Sequence, residues 1–197
     1  ELNEEAAYKI GRAFGVYLKE KEVIVGYDAR VSSPILKRAF AEGLMDEGVD
    51  VWGVGLATVD MIYFASGFFH LPAAIITASH NPKEYNGFKL MKSDVGSIVF
   101  DDIKNIIDEN KNFASEKKGT LVKKDIAGDY IKHVLSFVNT DAIRPMRVAI
   151  DASSGAVGPI LETILKKLPV KYTPINFSPN GDFPYHEPDP SREKNIT

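Results

Sequence analysis

Ser79 and His80 stand side by side in the run Thr77-Ala78-Ser79-His80-Asn81-Pro82. The run follows an apolar stretch, residues 71–76, that reads as a strand covered on both faces. Ligands of open α/β sheets bind beyond the C-terminal ends of strands, so the serine hydroxyl is expected at the mouth of a site. Pro82 stiffens the turn, and Asn86-Gly87 sends the chain back. In Phe88-Lys89-Leu90 the period of two puts Lys89 on the face opposite its neighbours, where it can approach the same loop. A hydroxyl with Lys89, His80 and, from an earlier segment, Arg30 available to it suits a serine that accepts and donates a phosphoryl group. Phosphoserine carries a charge of about −1.5 to −2 at neutral pH and needs cations or a metal beside it. A lysine can also shuttle the proton of an attacking hydroxyl.

Two other readings fit the same residues. Ser, Asn and Pro dominate turns, so the run is also ordinary loop chemistry. A Ser-His-Asp hydrolase is the other. Against it, a catalytic histidine normally reaches its serine from another segment, and the Gly-x-Ser-x-Gly elbow is absent around Ser79.

The elements that must hold this loop alternate between helix and strand. A helix is expected over residues 3–19, with Ala7, Ile10, Phe14 and Leu18 at helical spacing. A buried strand follows at 22–27. Ser32-Ser33-Pro34 reads as a capped helix start, the helix running to about Glu47 and stopping at Gly48. Further strands are expected at 49–53, 71–76, 88–91 and 119–122, and helices at 58–69, 100–110 and 125–137. After Arg144-Pro145 the order restarts with a strand at 147–150, a helix at 157–167 and a strand at 170–175. Residues 176–197 are rich in Pro, Asn and Asp and carry no period. This alternation predicts an α/β fold of three layers around a mixed, mostly parallel sheet, residues 1–142, followed by an incomplete second domain of similar type, residues 143–197. Two strands and one helix make a poor core alone, which is why the second unit is expected to be cut short.

Composition narrows the class. The chain has 197 residues, 44% hydrophobic and 26% charged, as ordinary globular domains do. With 24 basic and 27 acidic residues, net −3, nothing argues for a nucleic-acid partner. There is no cysteine, so disulfides and thiolate metal sites are excluded. No apolar run is long enough for a transmembrane helix, and no membrane partner is expected. Glycines near the strand ends form no Gly-x-Gly-x-x-Gly fingerprint, which speaks against a dinucleotide. The four histidines lack metal-type spacing, and His70, His133, His186 and Trp52 read as structural. The chain opens on Glu1 and not on Met, so its natural start is expected to lie outside it.

The run from Thr77 to Pro82, followed by Tyr85-Asn86-Gly87-Phe88-Lys89, resembles the phosphoserine signature of the α-D-phosphohexomutases, the phosphomannomutase/phosphoglucomutase family. Val25-Gly26-Tyr27-Asp28-Ala29-Arg30-Val31-Ser32-Ser33-Pro34 resembles that family's first strand-to-helix segment. Asn180-Gly181-Asp182-Phe183-Pro184-Tyr185-His186-Glu187-Pro188-Asp189-Pro190 resembles its second-domain loop. The resemblance implies a cytoplasmic enzyme that interconverts hexose 1- and 6-phosphates through a phosphoserine and a bisphosphorylated sugar, with hexose 1,6-bisphosphate as activator. Carried over, Ser79 is phosphoryl donor and acceptor, and through its phosphate a Mg²⁺ ligand. Lys89 is the general acid/base and His80 a signature residue at phosphate or sugar. Arg30 and Asn81 are expected to help bind phosphate. Asp151-Ala152-Ser153-Ser154-Gly155 follows a strand and precedes a helix, where an anion could be held, but it falls where the family has Asp-x-x-x-Gly and is read mainly as a structural turn. Val59-Asp60 replaces the more usual Thr-Pro, a change expected to alter a helix start and not the chemistry.

Phosphoglucosamine mutases share the serine but usually lack the Phe183 to Pro190 pattern, which leans the chain toward mannose and glucose phosphates. A non-catalytic sugar-phosphate binder on the same scaffold is the alternative from another class. The family's Asp-Gly-Asp-x-Asp-Arg metal loop, its sugar-recognition loop and its last phosphate-binding loop do not occur here, so the remaining domains of the same protein are implied as partners. Residues 1–197 by themselves are therefore expected to turn over little or no glucose 1-phosphate or mannose 1-phosphate. A coupled mutase assay checks this, and substantial turnover would refute it.

Overall fold

In the computed structural model, residues 2–18, 20–108 and 115–195 are described. The order is α1 (Glu4–Tyr17), β1 (Glu22–Tyr27), α2 (Ser33–Asp46), β2 (Asp50–Leu56), α3 (Val59–Phe69), β3 (Ala73–Ile76), β4 (Phe88–Met91), β5 (Ser97–Ile98), α4 (Phe100–Asp108), β6 (Leu121–Lys123), α5 (Ala127–Ser136), β7 (Met146–Asp151), α6 (Val157–Leu165) and β8 (Val170–Ile175). Short 3-10 turns occupy Thr140–Ala142 and Glu193–Asn195. Residues 109–110 of the expected fourth helix lie outside the described residues.

Six strands form one sheet in the order β5-β4-β3-β1-β2-β6. The pairs β1/β2, β1/β3 and β2/β6 are parallel, and β3/β4 and β4/β5 are antiparallel. The mixed, mostly parallel sheet expected from the sequence is what forms. Its two faces sort by the period of two. Val23, Val25, Ala74 and Ile76 pack with Phe14, Phe40, Leu44 and Ile103 of α1, α2 and α4. Ile24, Ala73 and Ile75 pack on the other face with Met61, Ile62 and Ile131 of α3 and α5. All four residues of β3 are buried, as a strand covered on both faces requires.

β7 and β8 pair in parallel as a separate two-stranded sheet. The helix between them joins the first unit: Ile160 of α6 belongs to the same cluster as Ile24 and Ile131, with Ile164 packed against it. Among the described residues no helix is long and apolar enough to cross a membrane.

Three local differences from the sequence expectation have physical reasons. β2 runs on to Leu56 because a register shift opposite Val25/Gly26 absorbs an extra residue, with Gly55 at φ +77°. β5 is two residues long, too short to carry a period. Ser32 does not cap α2. Its backbone is already helical and its hydroxyl accepts a hydrogen bond from Asn86 Nδ2 at 2.9 Å, so the serines expected as a helix start serve the Ser79 loop instead.

The tightest helix contact is between α1 and α2, where glycines let the backbones touch. A Cβ on Gly43 would run into the Tyr8 carbonyl oxygen and reach 2.8 Å from the Arg12 amide nitrogen; one on Gly11 would run into the Phe40 carbonyl. Alanine in a helix normally gains up to about 1 kcal/mol over glycine. At Gly43 overpacking, costing roughly 1–3 kcal/mol, opposes that gain and the atom it meets is backbone that cannot swing aside. Gly43→Ala is therefore expected to lower the urea unfolding midpoint despite its better helix propensity.

Candidate functional site

The loop after β3 is built on hydrogen bonds that its own sequence supplies. Thr77 is buried, its N–H bonds to the Gly87 carbonyl at 2.9 Å, and its Oγ1 accepts the Ser79 N–H at 3.0 Å. Ser79 adopts left-handed backbone, φ 53°. That conformation costs a non-glycine residue on the order of 1–3 kcal/mol and persists only where the surroundings over-determine it. Asn81 N–H bonds to Ala78 O at 3.1 Å and Tyr85 N–H to Pro82 O at 3.1 Å, closing two further turns. Asn86 bonds its own side chain to Gly87 N–H and donates Nδ2 to Ser32 and Ser33 Oγ, both at 2.9 Å.

The largest support comes from the segment that follows β1. Arg30 is 1% exposed. Its Nε donates to Asp28 Oδ2 at 3.1 Å, Nη1 to the carbonyls of Pro82 and Tyr85 at 2.7 and 3.1 Å, and Nη2 to those of Ser79 and Asn81, both at 2.8 Å. A guanidinium has five N–H donors, and here all five are used. Asp28 in turn accepts from the Arg30 N–H at 3.1 Å, Ser33 Oγ at 2.6 Å and Thr77 Oγ1 at 2.7 Å.

Arg30 is expected from the sequence to help bind phosphate, and the structure gives its donors other partners. The residue faces the loop's carbonyls, with no donor left for a phosphate. Arginine at that position reads as a cation in the sequence; its direction follows from the carbonyls the folded loop turns toward it. Asn81 contributes its carbonyl to the clamp, while its side chain is exposed.

Ser79 and His80 are exposed on top of the clamped loop. β4 runs back beside β3 with Lys89 opposite Ile75, and the lysine is exposed while Leu90 and Met91 are buried. Ser79, His80 and Lys89 line one open cleft of about 490 Å³. Arg30 and Asn81 are not among its lining residues.

The same cleft is walled by residues that sequence reasoning passed over. Thr58, whose Oγ1 caps α3 through Met61 N–H at 3.2 Å, lines it with Val59 and Asp60. The Val59-Asp60 departure therefore lies in the site and is not confined to a helix start. Asp28 lines it as well, flagged in the sequence only by its place two residues before Arg30. From the second unit come Asp151 and Ser153 of the turn after β7 and Phe183 of the proline-rich segment.

That turn is more than a connection. Ser153 and Ser154 sit at φ 51° and 52°, and Ser154 N–H bonds to Asn176 O at 2.8 Å. Asp151 accepts from Ser153 N–H at 2.7 Å, from Asn176 Nδ2 at 3.1 Å, and faces His186 Nε2 at 3.1 Å. The other imidazole nitrogen, Nδ1, lies 3.0 Å from Glu187 O. Both ring nitrogens thus face acceptors, an arrangement that favours the doubly protonated ring. The Glu187 carbonyl, then Asp151, hold the His186 pKa above its ordinary value. Burial works to raise the Asp151 pKa, but the Ser153 N–H, His186 and Asn176 together hold it below the usual carboxylate value.

Mg²⁺ asks for near-octahedral oxygen coordination. Among the described residues no cluster of three or more His, Cys, Asp or Glu could hold a metal. Asp28, the nearest carboxylate to the loop in sequence role, is committed to four hydrogen bonds. The donor set fits a metal only as a single oxygen offered by Ser79 once phosphorylated.

Comparison with known proteins finds relatives along nearly the whole chain. Residues 1–117 match the family model described as phosphoglucomutase/phosphomannomutase, alpha/beta/alpha domain I, and residues 128–197 match that of alpha/beta/alpha domain II. A phosphomannomutase of Escherichia coli is 36% identical over 96% of this chain and 44% of its own length. A phosphoglucomutase of Neisseria meningitidis serogroup B is 36% identical over 99% of this chain and 43% of its own. The crystal structure of a phosphoglucomutase/phosphomannomutase family protein from Burkholderia thailandensis superimposes with a TM-score of 0.87 at 31% identity, covering all of this chain and 45% of that one. The chain thus spans less than half the length of the curated relatives it matches.

The His186–Asp151 pair gives a pH signature. A histidine whose pKa is raised on folding contributes stability that is fully present below its unfolded value, ordinarily 6.5, and lost as the pH rises through the folded value. The stability advantage of the unaltered protein over His186→Gln is therefore expected to be largest in mildly acid solution and to shrink above neutrality. Denaturation midpoints measured across pH check it, and an NMR titration of the His186 ring should show a midpoint above the ordinary value.

Proposed function

The chain belongs to the phosphoglucomutase/phosphomannomutase family, and on that premise we propose that the protein carrying it interconverts hexose 1-phosphates and hexose 6-phosphates, with Ser79 as the phosphoryl carrier. The observation that supports this best is the exposed Ser79 hydroxyl on a loop clamped from beneath by Arg30, in one cleft with Lys89 and His80. Mannose and glucose phosphates are the substrates favoured by the Phe183 to Pro190 segment and by the names of the relatives.

The reaction begins with phosphorylated Ser79. A sugar hydroxyl attacks the phosphorus, the Oγ–P bond breaks, and a new O–P bond forms on the sugar. The hydroxyl proton passes to Lys89, and Ser79 Oγ takes up a proton from solvent as it leaves, so that the free serine hydroxyl is regenerated. The bisphosphorylated sugar reorients. Ser79 Oγ then attacks the other phosphate and gives up its proton to solvent, the O–P bond to the sugar breaks, and Lys89 returns its proton to the sugar oxygen that departs. His80, at the cleft surface, donates to phosphoryl oxygens or sugar. Mg²⁺, held in part by an oxygen of phosphorylated Ser79, would supply Lewis-acid stabilisation of the transferring group. Positioning and electrostatics carry most of phosphoryl transfer, so a rigid serine loop matters more than any single contact.

Incubating the complete protein with glucose 1,6-bisphosphate should add one covalent phosphate, seen by intact mass and lost in Ser79→Ala. Lys89→Met should still accept phosphate from the bisphosphate at a reduced rate and pass it to glucose 1-phosphate about 100-fold more slowly or worse, the scale of a lost general acid/base. A protein that takes up no phosphate under these conditions would instead be a sugar-phosphate binder.

A further inference from the structure

We infer that residues 180–183 of the second unit form a latch against the Arg30 segment that clamps the Ser79 loop, with Phe183 and Gly181 as positioning residues for phosphoryl transfer; this rests on Ser79 being the carrier proposed above. Arg30 uses every N–H edge of its guanidinium on the loop and on Asp28. Only its planar faces remain, and water reaching them would compete for those hydrogen bonds. The Arg30 guanidinium carbon lies over the face of the Phe183 ring, 5.5 Å from its centroid. The aromatic face attracts the cation and excludes water at once.

The contact is made by a loop seated backbone to backbone. A Cβ on Gly181 would run into the Ala29 carbonyl oxygen and come within 2.5 Å of the Val31 amide nitrogen, so only glycine allows this approach. Lys83, inside the Ser79 loop, pairs with Asp182 at 3.3 Å. The latch holds its own shape through Phe183 N–H to Asn180 O and Asp182 N–H to Asn180 Oδ1, both 3.0 Å, which keep Phe183 at φ 46°. An aromatic residue in left-handed backbone persists because its surroundings fix it. Asn180 N–H also bonds to Ser154 O at 2.8 Å, tying the latch to the turn that walls the cleft. Seating of the second unit therefore keeps the Arg30 clamp dry, and the clamp sets the Ser79 backbone.

In the complete protein, Phe183→Ala removes ring and cover, Phe183→Leu keeps an apolar cover without a π face, and Phe183→Tyr keeps both. Each is loaded with glucose 1,6-bisphosphate and discharged onto glucose 1-phosphate in a single turnover, with amide hydrogen exchange of residues 79–85 followed in parallel. Phe183→Ala should slow transfer at saturating sugar phosphate about tenfold, the scale of a desolvated cation–π contact. The half-saturating sugar concentration should shift less than the transfer rate, exchange of residues 79–85 should quicken, and Phe183→Tyr should restore rate and exchange. Phe183→Leu should fall between, and Gly181→Ala should repeat the effect. Unchanged transfer and exchange in Phe183→Ala would overturn the latch, as would faster exchange spread evenly over β1–β3. If the unaltered protein takes up no phosphate, the carrier function of Ser79 fails instead, and the exchange arm alone still decides the latch.

Discussion

A buried guanidinium is the constraint around which the molecule is arranged. Removing a charge from water costs several kcal/mol unless every donor finds a partner. Arg30 meets that demand with one carboxylate and four carbonyls, and those carbonyls all belong to the Ser79 loop. The cost of burying the cation is therefore offset only if the loop closes in one conformation. Loosening any of its turns would strand a donor in the interior. The same bonds hold Ser79 in left-handed backbone, which its own φ preference opposes.

How far this was legible in the sequence follows from what sequence signals encode. β1, β4 and β8 fall on the expected residues because alternation and apolar runs report burial on a sheet face. The loop from Thr77 to Lys89 was legible as a site because a strand end, a proline turn and an Asn-Gly return fix where it must lie. Direction was not legible. Charge and spacing brought Arg30 to the right neighbourhood, but whether it points at a ligand or at carbonyls depends on the loop's three-dimensional path. Ser32 and Ser33 show the same limit: both have the chemistry of a helix cap and both serve the loop. Asp60, Asp151 and Phe183 reach the cleft through packing between segments far apart in sequence, so the local patterns that contain them did not mark them as lining one site.

The division between the two units is also tertiary. Ile160 of α6 shares a hydrophobic cluster with Ile24 of β1, so the second unit is anchored by apolar burial on the far face of the same sheet. Apolar packing of this kind is non-directional and tolerates small shifts. The loop contacts at Gly181 and Phe183 are directional and short-ranged. Anchoring by one and registering by the other gives a unit that stays attached while its seating against the Ser79 loop is sharply defined.

A carrier that must both take and give a phosphoryl group has reason to keep its strongest cation out of direct contact. Arginine binds phosphate as a bidentate, charge-assisted pair. Such a pair would stabilise phosphoserine in the resting state as much as in transfer, and uniform stabilisation does not lower the barrier. Turned inward, Arg30 is paired with Asp28 and holds the Ser79 carbonyl, so it would act on the proposed carrier through the shape of the loop. The groups left at the surface, Lys89 and His80, are those that can move and exchange protons. On the proposed carrier role of Ser79, the fixed cation shapes the loop, and the exposed groups are left free to follow a phosphate passing to a sugar.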